Sequence, residues 1–149
     1  MTQEEKALQE EKRRAERMLE REAVKARVLQ VLTEHVGRAN AIDMGELYRR
    51  VYGEEWRHKI NDTRRLRTII TELRRGGAAI GSSASQAGGG YYIMSGSELQ
   101  EWAERVQAQA LRKLGMVAKL RRRTLPELLG QIAVEAKDYE MEARRRGAA

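Results

Sequence analysis

The chain contains no cysteine. Neither a disulfide framework nor a thiolate metal site is therefore available, and a reducing compartment suits it. It also has no apolar run long enough to span a membrane, and its opening "MTQEEKALQEEKRRAERMLE" lacks the apolar core of a secretory signal. The expectation is a cytoplasmic protein with no membrane partner. Its 2 histidines, His35 and His58, lie in different segments without close acidic companions at ligand spacing, which argues against zinc. No nucleophile elbow, pair of active-site carboxylates or nucleotide loop is present. The glycine cluster Gly88-Gly89-Gly90 is not followed by Lys-Ser/Thr, so it is not a phosphate cradle. Neither an enzyme nor a cofactor is expected.

What the chain does have is positive charge. Its 149 residues carry 29 Lys+Arg against 22 Asp+Glu, a net charge of +7, and the pI is near 10.0. That balance favours a polyanionic partner. The charge is concentrated in "INDTRRLRTIITELRRGG", residues 60 to 77. On a helix, Leu66, Ile69, Ile70 and Leu73 fall at i, i+3, i+4 and i+7 and form a core-facing stripe. The opposite face carries Arg64, Thr68, Thr71 and Arg75, flanked by Arg65 and Arg67, with Glu72 the one acid among them. Asn61, Asp62 and Thr63 are candidate N-caps, and Gly76-Gly77 ends the helix.

The length fits about one domain, in three parts. Residues 3 to 34 have no glycine or proline and predict a helix, of which only Val24, Val28, Val31 and Leu32 form a proper buried stripe. Residues 1–22 are thus expected to be an exposed helical extension, either a solvated arm or one that binds a partner or forms a coiled coil. Residues 23–95 continue with a short helix capped by Asp43 and closed by Gly53, in which Met44, Leu47, Tyr48 and Val51 repeat at helical spacing. Trp56, Tyr48 and Tyr52 are expected in the core rather than as a stacking platform. The arginine helix follows, then a hairpin: Ala79 to Ser83 and Gly90 to Met94, with Tyr91 and Ile93 on one face, Tyr92 and Met94 on the other, and one pair packed inward. Residues 96–149 form two more helices. Ser95 and Glu98 make a capping box ahead of the stripe Leu99, Trp102, Ala103, Val106 and Ala110. A basic run, Lys119 and Arg121 to Arg123, closes that helix, either as a second phosphate contact or because the dipole favours cations there. Thr124 and Glu127 make a second box opening a helix to about Arg144. In it Leu125, Leu129, Ile132, Ala136, Tyr139 and Ala143 form a heptad seam, packed on the preceding helix or serving as the interface of a homo-oligomer.

Three helices and a hairpin, with Leu73-Arg74-x-x-Gly77-x-x-Ile80-x-Ser82 and then Gly89-Gly90-Tyr91-x-Ile93, resemble the winged helix-turn-helix of the biotin-repressor type. The pattern also resembles small helix-turn-helix proteins of bacteriophages and prophages, over about residues 24 to 95. The expected fold is mainly α with a small β-hairpin, a winged helix-turn-helix with N- and C-terminal helical extensions. The resemblance implies sequence-specific binding of double-stranded DNA, as a transcriptional regulator or replication accessory factor, with the third helix in the major groove and the hairpin as a wing. Asn61, Thr63, Arg64, Arg65 and Thr68 are the candidate base contacts. Arg57, Lys59, Arg67 and Arg75 are candidate phosphate contacts, and Ser82, Ser83, Ser85 and Gln86 candidate wing contacts. The alternative is a protein-interaction module whose terminal helices dock a phage or host replication, transcription or packaging protein. RNA binding is weaker, because no RNA-module signature is present.

Overall fold

The computed structural model describes residues 2–84 and 90–147, with nothing stated for the side chain of Lys59. The described chain is mostly helical with one small antiparallel sheet. In order it runs α1 (Gln3–Leu32), a 3-10 turn (Arg38–Asn40), β1 (Ile42–Asp43), α2 (Met44–Tyr52), α3 (Lys59–Arg75), β2 (Ile80–Ser83), β3 (Gly90–Ile93), α4 (Gly96–Leu120) and α5 (Leu125–Gly147). It divides into two compact units, Met1–Leu99 and Gln100–Ala149.

In the first unit α1 is a single unbroken helix. A capping box between Thr2 and Glu5 starts it, and only its last turns bury side chains: Val24, Val28, Val31 and Leu32. These four meet Leu47, Tyr48 and Val51 of α2, Leu66, Ile69 and Ile70 of α3, and Ile42, Ile80 and Tyr91 of the sheet in one core. Each fully buried aliphatic side chain is worth about 1.5–3 kcal/mol, more than helix propensity supplies, so these contacts decide where α3 docks. Leu8 and Leu19, upstream on α1, are exposed.

Local signals set most boundaries. Asp43 Oδ2 accepts from the Gly45 and Glu46 N–H groups at 2.8 and 3.3 Å to start α2, and Gly53 ends it in the left-handed region at φ 73°. The start of α3 departs from expectation. Its N-cap is His58, not Asn61, Asp62 or Thr63. Asp62 instead reaches back from inside the first turn, and its Oδ2 accepts from the N–H groups of Arg57 (2.7 Å) and His58 (2.9 Å). This acceptor satisfies the N–H groups of the chain entering the helix, so α3 begins a turn earlier.

The sheet has three strands in the order β1-β3-β2, one more than a hairpin. Ile80 pairs with Ile93 and Ser83 with Gly90, while β1 places Ile42 against Tyr91. The expectation of one buried face also needs correction. Tyr91 and Tyr92 are both buried, on opposite faces. Tyr91 enters the core, whereas the Tyr92 ring lies over Gly81, with its hydroxyl accepting from Arg38 Nε at 3.2 Å. The backbone N–H of Arg38 in turn donates to Glu98 Oε1 at 2.9 Å, so the 3-10 turn closes that side of the sheet. The segment joining β2 to β3 lies outside the described residues.

In the second unit α4 ends in a Schellman-type turn. Arg123 N–H donates to the Ala118 carbonyl and Arg122 N–H to that of Lys119, with Arg122 left-handed at φ 53°. The Thr124 and Glu127 box then opens α5. Burial is confined to this end: Ala118 and Leu128 are fully buried, Leu125, Leu129 and Ile132 half-buried, and everything described beyond Ile132 exposed.

Candidate nucleic-acid interface

Docking Leu66, Ile69 and Ile70 into the core turns the other side of α3 outward, where Ile60, Arg64, Arg67, Thr68, Thr71, Glu72 and Arg75 line one shallow open groove. Thr68 Oγ1 donates to the Arg64 carbonyl at 2.9 Å and Thr71 Oγ1 to the Arg67 carbonyl at 2.8 Å. Each hydroxyl hydrogen is thereby spent on the helix, and each oxygen offers lone pairs outward. Such an acceptor suits the exocyclic amino groups of adenine or cytosine at a major-groove edge. Arg67 is tied across the first turns of α3 by one bond, from Nη2 to the Ile60 carbonyl at 3.0 Å. It makes no further hydrogen bond or ion pair among the described residues. Among the described residues, the guanidinium groups of Arg64 and Arg75 engage no acid.

Glu72 could cancel this charge, but α1 prevents it. Arg21 makes a two-pronged contact to its carboxylate, with Nε 3.0 Å from Oε2 and Nη2 against Oε1. Lys25 Nζ adds a contact at 3.3 Å. The Arg21 hydrogen bond, followed by that of Lys25, holds the Glu72 carboxyl down at about 2. The Glu72 charge is thus spent on Arg21 and on Lys25, which it shares with Glu22 at 2.8 Å, and the outward line Arg64, Arg67 and Arg75 keeps its positive sign.

The other candidate residues are placed less uniformly. Thr63 is 1% exposed and Ser83 7%, so neither reaches a ligand: Thr63 lies one turn before Leu66 and two before Ile70, and Ser83 is covered at the end of β2. Both are corrections to the surface roles expected of them. Arg65 stacks over the Tyr52 ring at 4.5 Å, which parks it on the flank of α3. Asn61 is exposed near it. Arg57 is exposed ahead of α3, and Lys59 is the first residue of that helix. Ser82 is exposed on β2, whereas Ser85 and Gln86 lie outside the described residues. Tyr48 is buried and Tyr52 and Trp56 pack against the core, as expected of structural aromatics. In the C-terminal basic run, Arg122 forms the turn and Arg123 donates to Gln131 Oε1 at 3.1 Å.

Sequence reasoning missed the contribution of α1. Arg17, Glu20 and Arg21 line a second groove with Tyr52, Asn61, Arg64, Arg65 and Thr68. The i, i+4, i+8 spacing of Arg17, Arg21 and Lys25 marks one helical face, but its partner on α3, 51 residues from Arg21, is not visible locally.

Among the described residues, no helix is long and apolar enough to cross a membrane. Comparison of the chain with known protein families, with curated proteins and with solved structures finds no match in any of the three.

Proposed function

We propose that the chain is a winged-helix protein that binds double-stranded DNA in a sequence-dependent manner, as a transcriptional regulator or an accessory factor in replication. In this reading α3 enters the major groove and the β2–β3 hairpin lies along the backbone as a wing. The observation that carries it is the outward face of α3: Arg64, Arg67 and Arg75 beside the acceptors Thr68 and Thr71, with the single acid neutralised from α1. Arg64 is the base reader best placed for a guanine edge, and Arg57, Arg67 and Arg75 position the protein on phosphates. Anisotropy titrations with a labelled duplex test the proposal. If about six phosphates are neutralised, affinity should fall on the order of a thousandfold between roughly 50 and 200 mM salt. Binding that is absent at low salt, or insensitive to salt, rejects it.

A second reading, a protein-interaction module, draws on the second unit. Among the described residues, Trp102, Val106 and Leu111 of α4 and Tyr139 and Met141 of α5 are exposed, as is the seam of α5 beyond Ile132. A homo-oligomer formed through α5 serves both readings, because a second half-site needs a second copy. Light scattering after size-exclusion chromatography distinguishes them when paired with the titration. A DNA-binding oligomer supports the first reading, and an assembly indifferent to DNA supports the second.

A further inference from the structure

We infer that the proximal half of the α1 extension is a second wall of the DNA-binding surface, whose Arg13 and Arg17 hold the sugar-phosphate backbone beside the groove that α3 reads. The inference rests on the DNA-binding reading above and goes beyond it, because that reading uses only α3 and the wing.

The groove between α1 and α3, about 410 Å³, gathers Arg17, Arg21, Arg64 and Arg65 around Asn61 and Tyr52. It shares Arg64 and Thr68 with the outward face of α3, so the two form one continuous surface. Arg21 is committed to Glu72 and Arg65 to the Tyr52 ring, which leaves Arg17 and Arg64 to hold a mobile anion. Glu20 is the one acid lining this groove. One turn upstream of Arg17, on the same side of the helix, stands Arg13.

Charge along the extension is segregated. Residues 12–17, KRRAER, carry four cations and one acid, whereas residues 4–11, EEKALQEE, carry four acids and one cation. The cationic stretch ends at Arg17, which lines the groove with α3, and the acidic stretch lies farther out along the same helix. A solvated arm has a reason for Glu4 and Glu5, in the capping box and at the positive end of the helix dipole, but none for Glu10 and Glu11 or for the switch to cations at Lys12. An arm meeting a polyanion near α3 and ending before the next phosphates has one. A phosphate chain is the occupant that matches guanidinium groups on both walls and an open, elongated groove.

The test uses the full chain and a labelled duplex, comparing the parent, the double variant R13A/R17A, and a chain lacking residues 2–11. Alanine preserves helix propensity and these positions are exposed, so folding, checked by circular dichroism, should be unchanged. Each lost phosphate contact should lower the slope of log K against log salt by about 0.9, equivalent to about eightfold in affinity at 0.1 M salt. R13A/R17A should therefore bind related and unrelated duplexes alike on the order of sixtyfold more weakly. Removal of residues 2–11 should leave affinity equal or higher. A double variant with parental affinity and slope overturns the inference while leaving the DNA-binding reading intact. A truncation that weakens binding as much as the double variant also overturns it. A parent that binds no duplex refutes both.

Discussion

Replacing Gly81 with alanine should destabilise the first unit through one identifiable collision. A Cβ at that position would stand 2.4, 2.7 and 2.8 Å from three carbons of the Tyr92 ring. Carbon–carbon contacts are comfortable from about 3.5 Å, so the ring would have to retreat by about 1 Å. It has little room: Tyr92 is 2% exposed, and its hydroxyl is bonded to Arg38. Overpacking of this kind costs about 1–3 kcal/mol, and the smaller entropy of an unfolded chain with alanine returns about 0.4–1 kcal/mol. The 2.4 Å overlap puts the cost in the upper half of the first range, so the net loss should be about 1–2.6 kcal/mol, or roughly 0.5–1.3 M in urea midpoint at about 2 kcal/mol per M. Trp56 fluorescence in a Trp102→Phe background reports the relevant unit, since Trp102 lies in the other. In a chain that also carries Tyr92→Leu the collision partner is gone, and Gly81→Ala should cost little. Unchanged stability in the single variant, or an equal loss with and without the ring, would refute the packing argument.

Other outcomes can be stated as directly. Arg64→Ala should relax preference at one or two base positions and cost about 1–3 kcal/mol on the preferred site, while Arg75→Ala should weaken all duplexes alike; competition titrations with point-substituted sites show the difference. Glu72 has a folded pKa of about 2, below the ordinary value of about 4.3. Its contribution is therefore complete above about pH 4.3 and lost as pH falls toward 2, so urea midpoints of Glu72→Gln should decline less than those of the parent between pH 5 and 2.5. Arg122→Gly should raise the stability of the α4–α5 turn by up to about 1 kcal/mol, because Arg122 occupies the left-handed region at φ 53°. A lower thermal midpoint for that variant would contradict the turn geometry.

The parts legible in the sequence were those fixed by short-range chemistry. The Asp43 cap, the Gly53 stop and the stripe Leu66, Ile69 and Ile70 each depend on residues within two helical turns. The parts not legible depend on distant partners. Strand β1 exists because Ile42 and Asp43 find Tyr91 and Gly90, and two residues carry no strand signal of their own. Thr63 reads as a cap or a base contact because its hydroxyl is polar; α3 starts earlier, so Thr63 lies within the helix, where its i, i+3, i+7 phase with Leu66 and Ile70 turns it into the core. Alternation predicts that one of the two tyrosines faces outward, because nothing nearby in sequence shows that Arg38 folds over Tyr92. Of the candidate interface, the outward line Arg64, Thr68, Thr71 and Arg75 follows from helical period alone. The neutralisation of Glu72 required the fold.

Because α1 runs without interruption from its solvated start into the core at Val24, the bearing of its outer turns is geared to the core by helical phase. One residue inserted after Met18 would rotate everything before it by about 100° and swing Arg17 off the α3 side. Seven inserted residues would return the same side chains to within about 20° of their bearing, displaced by about 10 Å along the axis. The extension therefore behaves as a shaft keyed to the body, and its length and its direction are set by the same residue count.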